Sequence, residues 1–378
     1  MRFRPCCSAF PYRQLPHIGL SQDKQRIKLM FTKHYIKKAV ALTTAALLGS
    51  AANADGELFF YNWVDYTPPE LIKKFEDETG IKVTVDTYDS NETLLAKLKS
   101  GATGYDVVVP SQNFVTIMVA EEMLEKISVK EMSNYDNVDD RWKNPTWDPT
   151  QDYTAPWQMG STSFSINMEG YQGEGNSLGE FFEPAESMLG KIQVFRTPDE
   201  VIPLALMYLG LEQCNENPAD MKQVQALLLK QKPFVKTYNS ETMVANLTSG
   251  EVSMSSHWDG YSMKNRLDSK MESLKYVHPK EGIIGWFDSM VVPKGAPNKE
   301  NAEKFINFMM DAVNGAALSN FNRYASPLKT SAVGEHLDPT LSTAPEINID
   351  PSVPVHFSET CSAKSTKLYD RVWTKLLQ

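Results

Sequence analysis

An α/β fold of doubly wound sheets is predicted by three features of the sequence. Strand-like and helix-like runs alternate from residue 58 to residue 111. A comparable alternation returns between residues 190 and 313. The 378-residue chain is also long enough for two ordinary domains.

Each element has a local reason. Residues 58–61, "LFFY", read as a short buried strand. "TPPE" then offers Thr67 as N-cap, Pro68 at the first helical position and Glu70 in the capping-box place. Leu71, Ile72 and Phe75 form the apolar stripe of that helix, and Gly80 supplies its stop. Ile81, Val83 and Val85 alternate as a strand. Ser90 caps a second helix with Leu94, Leu95 and Leu98 turned inward and Gly101 at its end, and "YDVVVPS" (105–111) follows as a central strand. Later, "GKIQVF" (190–195) and "EVSMSSHW" (251–258) are strand-like, and 199–211 is a helix candidate despite Pro203. "SMVVP" (289–293) is apolar, and 299–313 is amphipathic through Ala302, Phe305, Ile306 and Met309. No repeat of solenoid period appears, and 134–153, rich in Asn, Asp and Pro, reads as an irregular connection.

The first 54 residues are expected to lie outside this fold. From Met30, a basic stretch (Lys33, Lys37, Lys38) precedes an apolar run at 39–48 and the small residues Ala52-Asn53-Ala54. That is the pattern of an export signal cleaved after about Ala54, with residues 1–29 upstream of it. The apolar run falls short of the roughly 20 residues that span a bilayer. The leader holds nine of the 38 Lys/Arg and one of the 47 acids. The remaining 324 residues therefore carry 29 basic and 46 acidic side chains, a net charge of −17. Such a balance disfavours nucleic acid and anionic lipid, and favours a cationic partner.

Cys6 and Cys7 leave with the leader. Cys214 and Cys361 remain, and an oxidising compartment would allow them either to pair or to stay free. His257, His278, His336 and His356 show no zinc spacing, so neither a metal nor another cofactor is expected.

Aromatic and acidic residues recur where a ligand would bind, beyond the carboxyl ends of strands. Trp63-Val64-Asp65-Tyr66 follows the first strand, Ser111 follows "VVVP", Trp258-Asp259 follows "EVSMSSH", and Trp286-Phe287-Asp288 sits in "GIIGWFDSM". An aromatic face attracts an ammonium group by about 0.5 to 2 kcal/mol. A carboxylate adds a charge-assisted hydrogen bond of roughly 1.5 to 3 kcal/mol. Carboxylates at the ends and rings along the middle suit a short alkyl diamine. An isolated Trp is more often core, so Trp142, Trp147 and Trp373 receive no role.

The same stretches carry a resemblance. "FYNWVDYTPPELIKKFEDETGIKV", "YDSNETLLAKL", "YDVVVPS", "WDG" and "GWFDSMVVP" resemble, in order and over residues 57–378, the periplasmic spermidine/putrescine-binding proteins of ABC transporters. The resemblance implies a two-lobed periplasmic binding protein fold of type II, with lobes at 57–159 plus 286–333 and 160–285 plus 334–378. It also implies hinge closure on a polyamine, delivery to a membrane permease, and action as a monomer without enzymatic activity. By position, Trp63, Asp65 and Tyr66 match the aromatic pair and its acid, and Ser111 the serine after "VVP". Glu200 in "PDEVIPLAL" matches an amine-binding glutamate, Trp258 and Trp286 the stacking tryptophans, Asp288 the central carboxylate and Tyr324 in "RYASPL" a late aromatic. Asp259 stands beside Trp258 as a further candidate. The sequence departs from the spermidine-type pattern at three places. Asn113 replaces Tyr, Thr197 replaces Asp, and Glu359 replaces Gln, so putrescine and spermidine are both open.

Two alternatives stand beside this reading. A secreted hydrolase could use Glu200 and Asp288 as acid and base, but no nucleophile-elbow motif or metal ligand set accompanies them. The same fold could instead hold another organic cation, an anion, a sugar or iron. No arginine cluster at helix N-termini and no Tyr/His/carboxylate set stands out for the last three.

Overall fold

Strand β1 (Glu57–Trp63) organises the N-terminal part of the chain in the computed structural model, which describes residues 56–101 and 104–378. The expected leader and its cleavage point lie outside those residues. Leu58, Phe60 and Tyr61 are buried, and β1 is flanked in parallel by β2 (Lys82–Tyr88) and β3 (Val107–Val108). The order β2-β1-β3 is that of a doubly wound sheet. Its helices are α1 (Pro69–Thr79), α2 (Asn91–Lys99) and α3 (Gln112–Ala120).

Two local expectations are corrected here. Thr67 does not cap α1; Pro68 takes that place, because Pro69 at the first helical position keeps its predecessor extended. Thr67 Oγ1 instead accepts a hydrogen bond from Asn62 Nδ2 at 2.8 Å. The stretch 105–111 does not supply the central strand. β1 is central, and β3 is cut short where the Asp106 carboxylate accepts from Phe59 N (2.8 Å) and Asn298 N (2.7 Å). Ser90 does cap α2, accepting from Thr93 N, and Gly80 closes α1 in a left-handed conformation.

Beyond the irregular stretch around residues 134–153, β4 (Ala155–Asn167) runs for 13 residues through the middle of a seven-stranded mixed sheet. Short α4 (Gly179–Phe182) precedes β5 (Ile192–Val194), α5 (Pro198–Tyr208), α6 (Pro218–Gln231), β6 (Val235–Tyr238) and α7 (Met243–Thr248). Then come β7 (Met254–Trp258), α8 (Asp259–Leu267), β8 (Leu274–Val277) and β9 (Ile283–Met290). β4 pairs antiparallel with β9 over its first half and with β7 and β8 over its second. Gly160 lies opposite Trp286, and Ser161 opposite Gly285.

The amphipathic run at 299–313 is not one helix. It divides into α9 (Lys299–Met309) and α10 (Ala312–Asn322), because Asp311 accepts from Val313 N and Asn314 N and starts a new helix. The chain finishes with α11 (Thr330–Val333), α12 (Pro339–Thr343), β10 (Val355–Phe357) beside β9, and α13 (Ala363–Leu377).

Separate hydrophobic clusters underlie the two sheets. Phe60, Phe75 and Phe305 interlock under the first, with Phe60 and Phe305 ring centroids 4.9 Å apart. Phe164, Phe181, Phe195, Ile202 and Trp373 fill the second. Cys214 and Cys361 are disulfide-bonded across 147 positions, which ties the start of α13 to the α5–α6 connection. Among the described residues no helix is long and apolar enough to cross a membrane.

Candidate functional site

Asp288 sits at the bottom of a cleft, in the middle of β9. The sequence reading put Trp286-Phe287-Asp288 at a strand edge. β9 instead continues from Ile283 to Met290, buried throughout between β4 and β10. Strand periodicity then places Trp286 and Asp288 on one face. Asp288 Oδ1 accepts from Ser111 Oγ at 2.7 Å and Oδ2 from Tyr66 Oη at 2.9 Å. Ser111 is itself held by Asn91, which donates to its Oγ and accepts from its N–H, both at 3.0 Å. Burial pushes Asp288 up to about 7, although the Ser111 and Tyr66 hydrogen bonds work in the other direction.

A second acid faces the same space from the start of α5. Glu200 accepts from Thr162 Oγ1 at 2.8 Å and from Trp258 Nε1 at 3.2 Å. Burial, then the neighbouring Asp199 carboxylate, pushes it up to about 8. Among the described residues no lysine or arginine forms an ion pair with Asp288, Glu200, Asp199 or Glu92. These acids therefore lack a paired countercharge among the described residues.

The walls between the acids are aromatic. Trp258 stacks on Phe195 with centroids 4.5 Å apart. Trp286 meets Tyr324 edge-on at 5.0 Å, and Tyr324 meets Tyr66 edge-on at 5.5 Å. Trp63 packs on Tyr88 at 4.7 Å, and both donate to the carbonyl of Val109. Two glycines make this packing possible. A methyl group on Gly160 would stand 2.5 Å from the Trp286 ring, and one on Gly260 would stand 2.6 Å from the Tyr324 ring.

The cavity, open on one side, has a volume of about 70 Å³. Nine residues singled out from sequence line it: Trp63, Asp65, Tyr66, Ser111, Glu200, Trp258, Trp286, Asp288 and Tyr324. Asp65 lies exposed at its mouth, where a positive φ of 50° turns the chain from β1 toward α1. Short polar Asp tolerates that conformation better than most residues.

Two other candidates lie off the cavity. Asp259 is buried at the first residue of α8, where it accepts from Ser161 N, Ser161 Oγ and Gly260 N. That makes it a joint between β4 and α8; burial pushes it up to about 7. Glu359 lines a separate groove with Asn113, Trp142 and Trp147. Of the three departures from the spermidine-type pattern, Asn113 and Glu359 thus stand together in that groove, and Thr197 precedes the first residue of α5.

The cavity also includes Val64, Tyr88, Asp89, Ser240, Glu241 and Tyr261, which the sequence reading missed. Tyr88-Asp89 closes β2 just as Trp63-Val64-Asp65 closes β1, so the strand-end rule already held that signal. Tyr261 lies one helical turn beyond Trp258 and donates to Val64 O at 2.9 Å. Ser240 and Glu241 lie in an unremarkable loop after β6. Asp65, Asp89 and Glu241, all exposed, ring the mouth with negative charge.

An α/β, two-lobed type II binding fold around a deep polar-and-aromatic cleft defines a protein that captures small solutes. The chain belongs to the bacterial extracellular solute-binding protein family, whose profile matches residues 70–348. It is 31% identical to the putrescine-binding periplasmic protein SpuD of Pseudomonas aeruginosa over 369 residues, covering 91% of this chain and 98% of the relative. It is 36% identical to the spermidine/putrescine-binding periplasmic protein of Escherichia coli over 282 residues, covering 74% and 80%. Among solved structures it resembles the spermidine/putrescine ABC transporter substrate-binding protein of Streptococcus pneumoniae. That match has a TM-score of 0.70 at 26% identity and covers 85% of this chain and 98% of that one.

Proposed function

We propose that this chain is an exported, periplasmic solute-binding protein that captures a small linear polyamine and presents it to an ABC permease. The carrying observation is the pair Asp288 and Glu200. A buried acid, Asp288, and a half-buried one, Glu200, face one cavity without a cationic partner among the described residues, separated by aromatic faces. A diamine supplies the missing charges at its two ends, and the indole and phenol rings cover its methylenes. The acids at the mouth favour cation entry by steering. The relatives named for putrescine and spermidine support the same ligand class.

In this reading one lobe comprises residues 57–159 and 286–333, and the other 160–285 and 334–378. The cleft lies between them, and hinge closure encloses the amine. Trp63, Asp65, Tyr66, Ser111, Glu200, Trp258, Trp286, Asp288 and Tyr324 form the ligand site. Export relies on cleavage near Ala54, and the protein acts as a monomer. Titration calorimetry with diamines of increasing length, spermidine and glutamate tests the proposal. Heat with the amines alone is the expected result; tight binding of glutamate would overturn it.

A further inference from the structure

The acids of the cleft do not end at Glu200. Asp199, the preceding residue of α5, and Glu92 of α2 turn their carboxyl groups toward each other. Each lies in the first turn of its helix, so two helix N-termini converge on the pair. In the lobe division proposed above, α2 and α5 belong to opposite lobes. The pair therefore bridges the closed cleft, yet neither member lines the cavity.

Its chemistry requires a proton. Glu92 Oε2 and Asp199 Oδ1 are shut off from solvent, and neither makes a hydrogen bond. Two ionised carboxylates repel at this separation, whereas one shared proton supplies a donor and removes a charge. Glu92 faces Asp199 and Glu200; Asp199 faces Glu92, the Thr197 side chain and the backbone N–H groups of its own turn. Glu200 in turn faces Asp199, Asp288, Thr162 and Trp258. No basic side chain stands among these neighbours. Burial pushes both members up, against the ionised form that helix N-termini favour.

We propose that Glu92 and Asp199 form a proton-sharing clasp that holds the two lobes closed over the ligand, and so set its retention as a function of pH without touching it. The inference rests on the two-lobe, amine-binding reading above. In open lobes the separated acids return toward their ordinary range near 4 and are ionised at neutral pH. Closure then takes up a proton, so the clasp weakens as pH rises. Glu200 and Asp288 act in the opposite sense, because they must be ionised to pair with ammonium. Affinity for an amine therefore passes through a maximum, with the clasp setting the alkaline limb.

Glu92→Gln separates the two limbs. An amide donates to ionised Asp199 at every pH, so the clasp no longer needs a proton. Putrescine affinity is measured by calorimetry from pH 6 to pH 9, with small-angle scattering of the wild type with and without putrescine at each pH. The variant is expected to match the wild type within about twofold at pH 6 and to bind at least tenfold more tightly at pH 9, each pH unit over which closure takes up a proton being worth about tenfold. Asp199→Asn, which donates to Glu92 instead, should give the same profile and serves if Glu92→Gln folds poorly. Profiles parallel to the wild type in both variants, with ligand-induced compaction intact, would overturn the clasp alone. Absence of compaction in the wild type would overturn the clasp together with the two-lobe reading.

Discussion

Ser111 and Asp288 stand 177 positions apart and meet Oγ to Oδ1 at 2.7 Å, joining the N-terminus of α3 to the middle of β9. With Tyr66 on the other oxygen, the carboxylate is oriented before any ligand arrives. A bound ammonium would find its countercharge already aimed, with little reorganisation left to oppose binding.

Replacing that carboxylate should therefore be costly. Asp288→Asn keeps the shape and one hydrogen-bond acceptor but leaves a buried ammonium unpaired, a loss of about 3 kcal/mol or more. Calorimetry should show putrescine affinity reduced at least a hundredfold, with thermal stability of the unliganded protein nearly unchanged.

The pH dependence has two opposite signs. Burial raises Asp288 to about 7 and Glu200 to about 8. For acids raised above their unfolded values, the stabilising state is the protonated one. The unliganded protein is therefore most stable below the ordinary carboxylate range and loses that contribution as pH rises through 7 to 8. Amine binding needs both groups ionised, so affinity should fall at least tenfold from pH 8 to pH 5.5. Binding at pH 7 should release protons from Asp288 and Glu200 against the one taken up by Glu92 and Asp199, and calorimetry in buffers of different ionisation enthalpy, with Glu92→Gln removing the uptake, would separate the two.

Gly160 is predicted to be intolerant of even one methyl group. A Cβ there would lie 2.5 Å from the Trp286 ring and 2.6 Å from Asp259 Oδ1, both of them buried side chains. Gly160→Ala should cost about 1 to 3 kcal/mol of stability. It should also weaken amine binding by tilting Trp286, and altered near-ultraviolet circular dichroism would report the tilt.

The Cys214–Cys361 bond closes a long loop, so its loss should act on the unfolded chain more than on the cleft. Replacing both residues by Ser should lower stability by about 2 to 5 kcal/mol in denaturant titrations. Putrescine affinity should stay within about twofold of the wild type.

Much of the fold is written in local signals. Ser90 caps α2 through its own side chain, and Gly80 ends α1 where only its backbone freedom serves. Thr67 fails as a cap because the choice between Pro68 and Pro69 depends on the backbone of the residue before each, which composition does not reveal. Trp286 and Asp288 look like a strand end, yet β4 extends pairing past them to Met290, a long-range effect with no local signature. The same holds for the cleft. Trp63, Tyr66 and Ser111 follow recognisable strands, whereas Glu241 belongs to a loop whose place is fixed only by tertiary packing. Asp259 shows the reverse case. An acid beside a Trp at a strand end can be drawn inward to serve two hydroxyl and amide donors of a neighbouring strand.

The β4–β9 ladder has a mechanical meaning in the proposed lobe division. Two of the three passages between lobes fall inside it, at Gly160 and at Gly285–Trp286, where hydrogen-bonded strands continue without a loop. Opening would then flex a two-ply leaf spring rather than swing a slack tether. The side-chain-free glycines are where such a spring can bend while its rungs stay intact. Capture and discharge would thus reuse one elastic element, whose stiffness limits how far the jaws part.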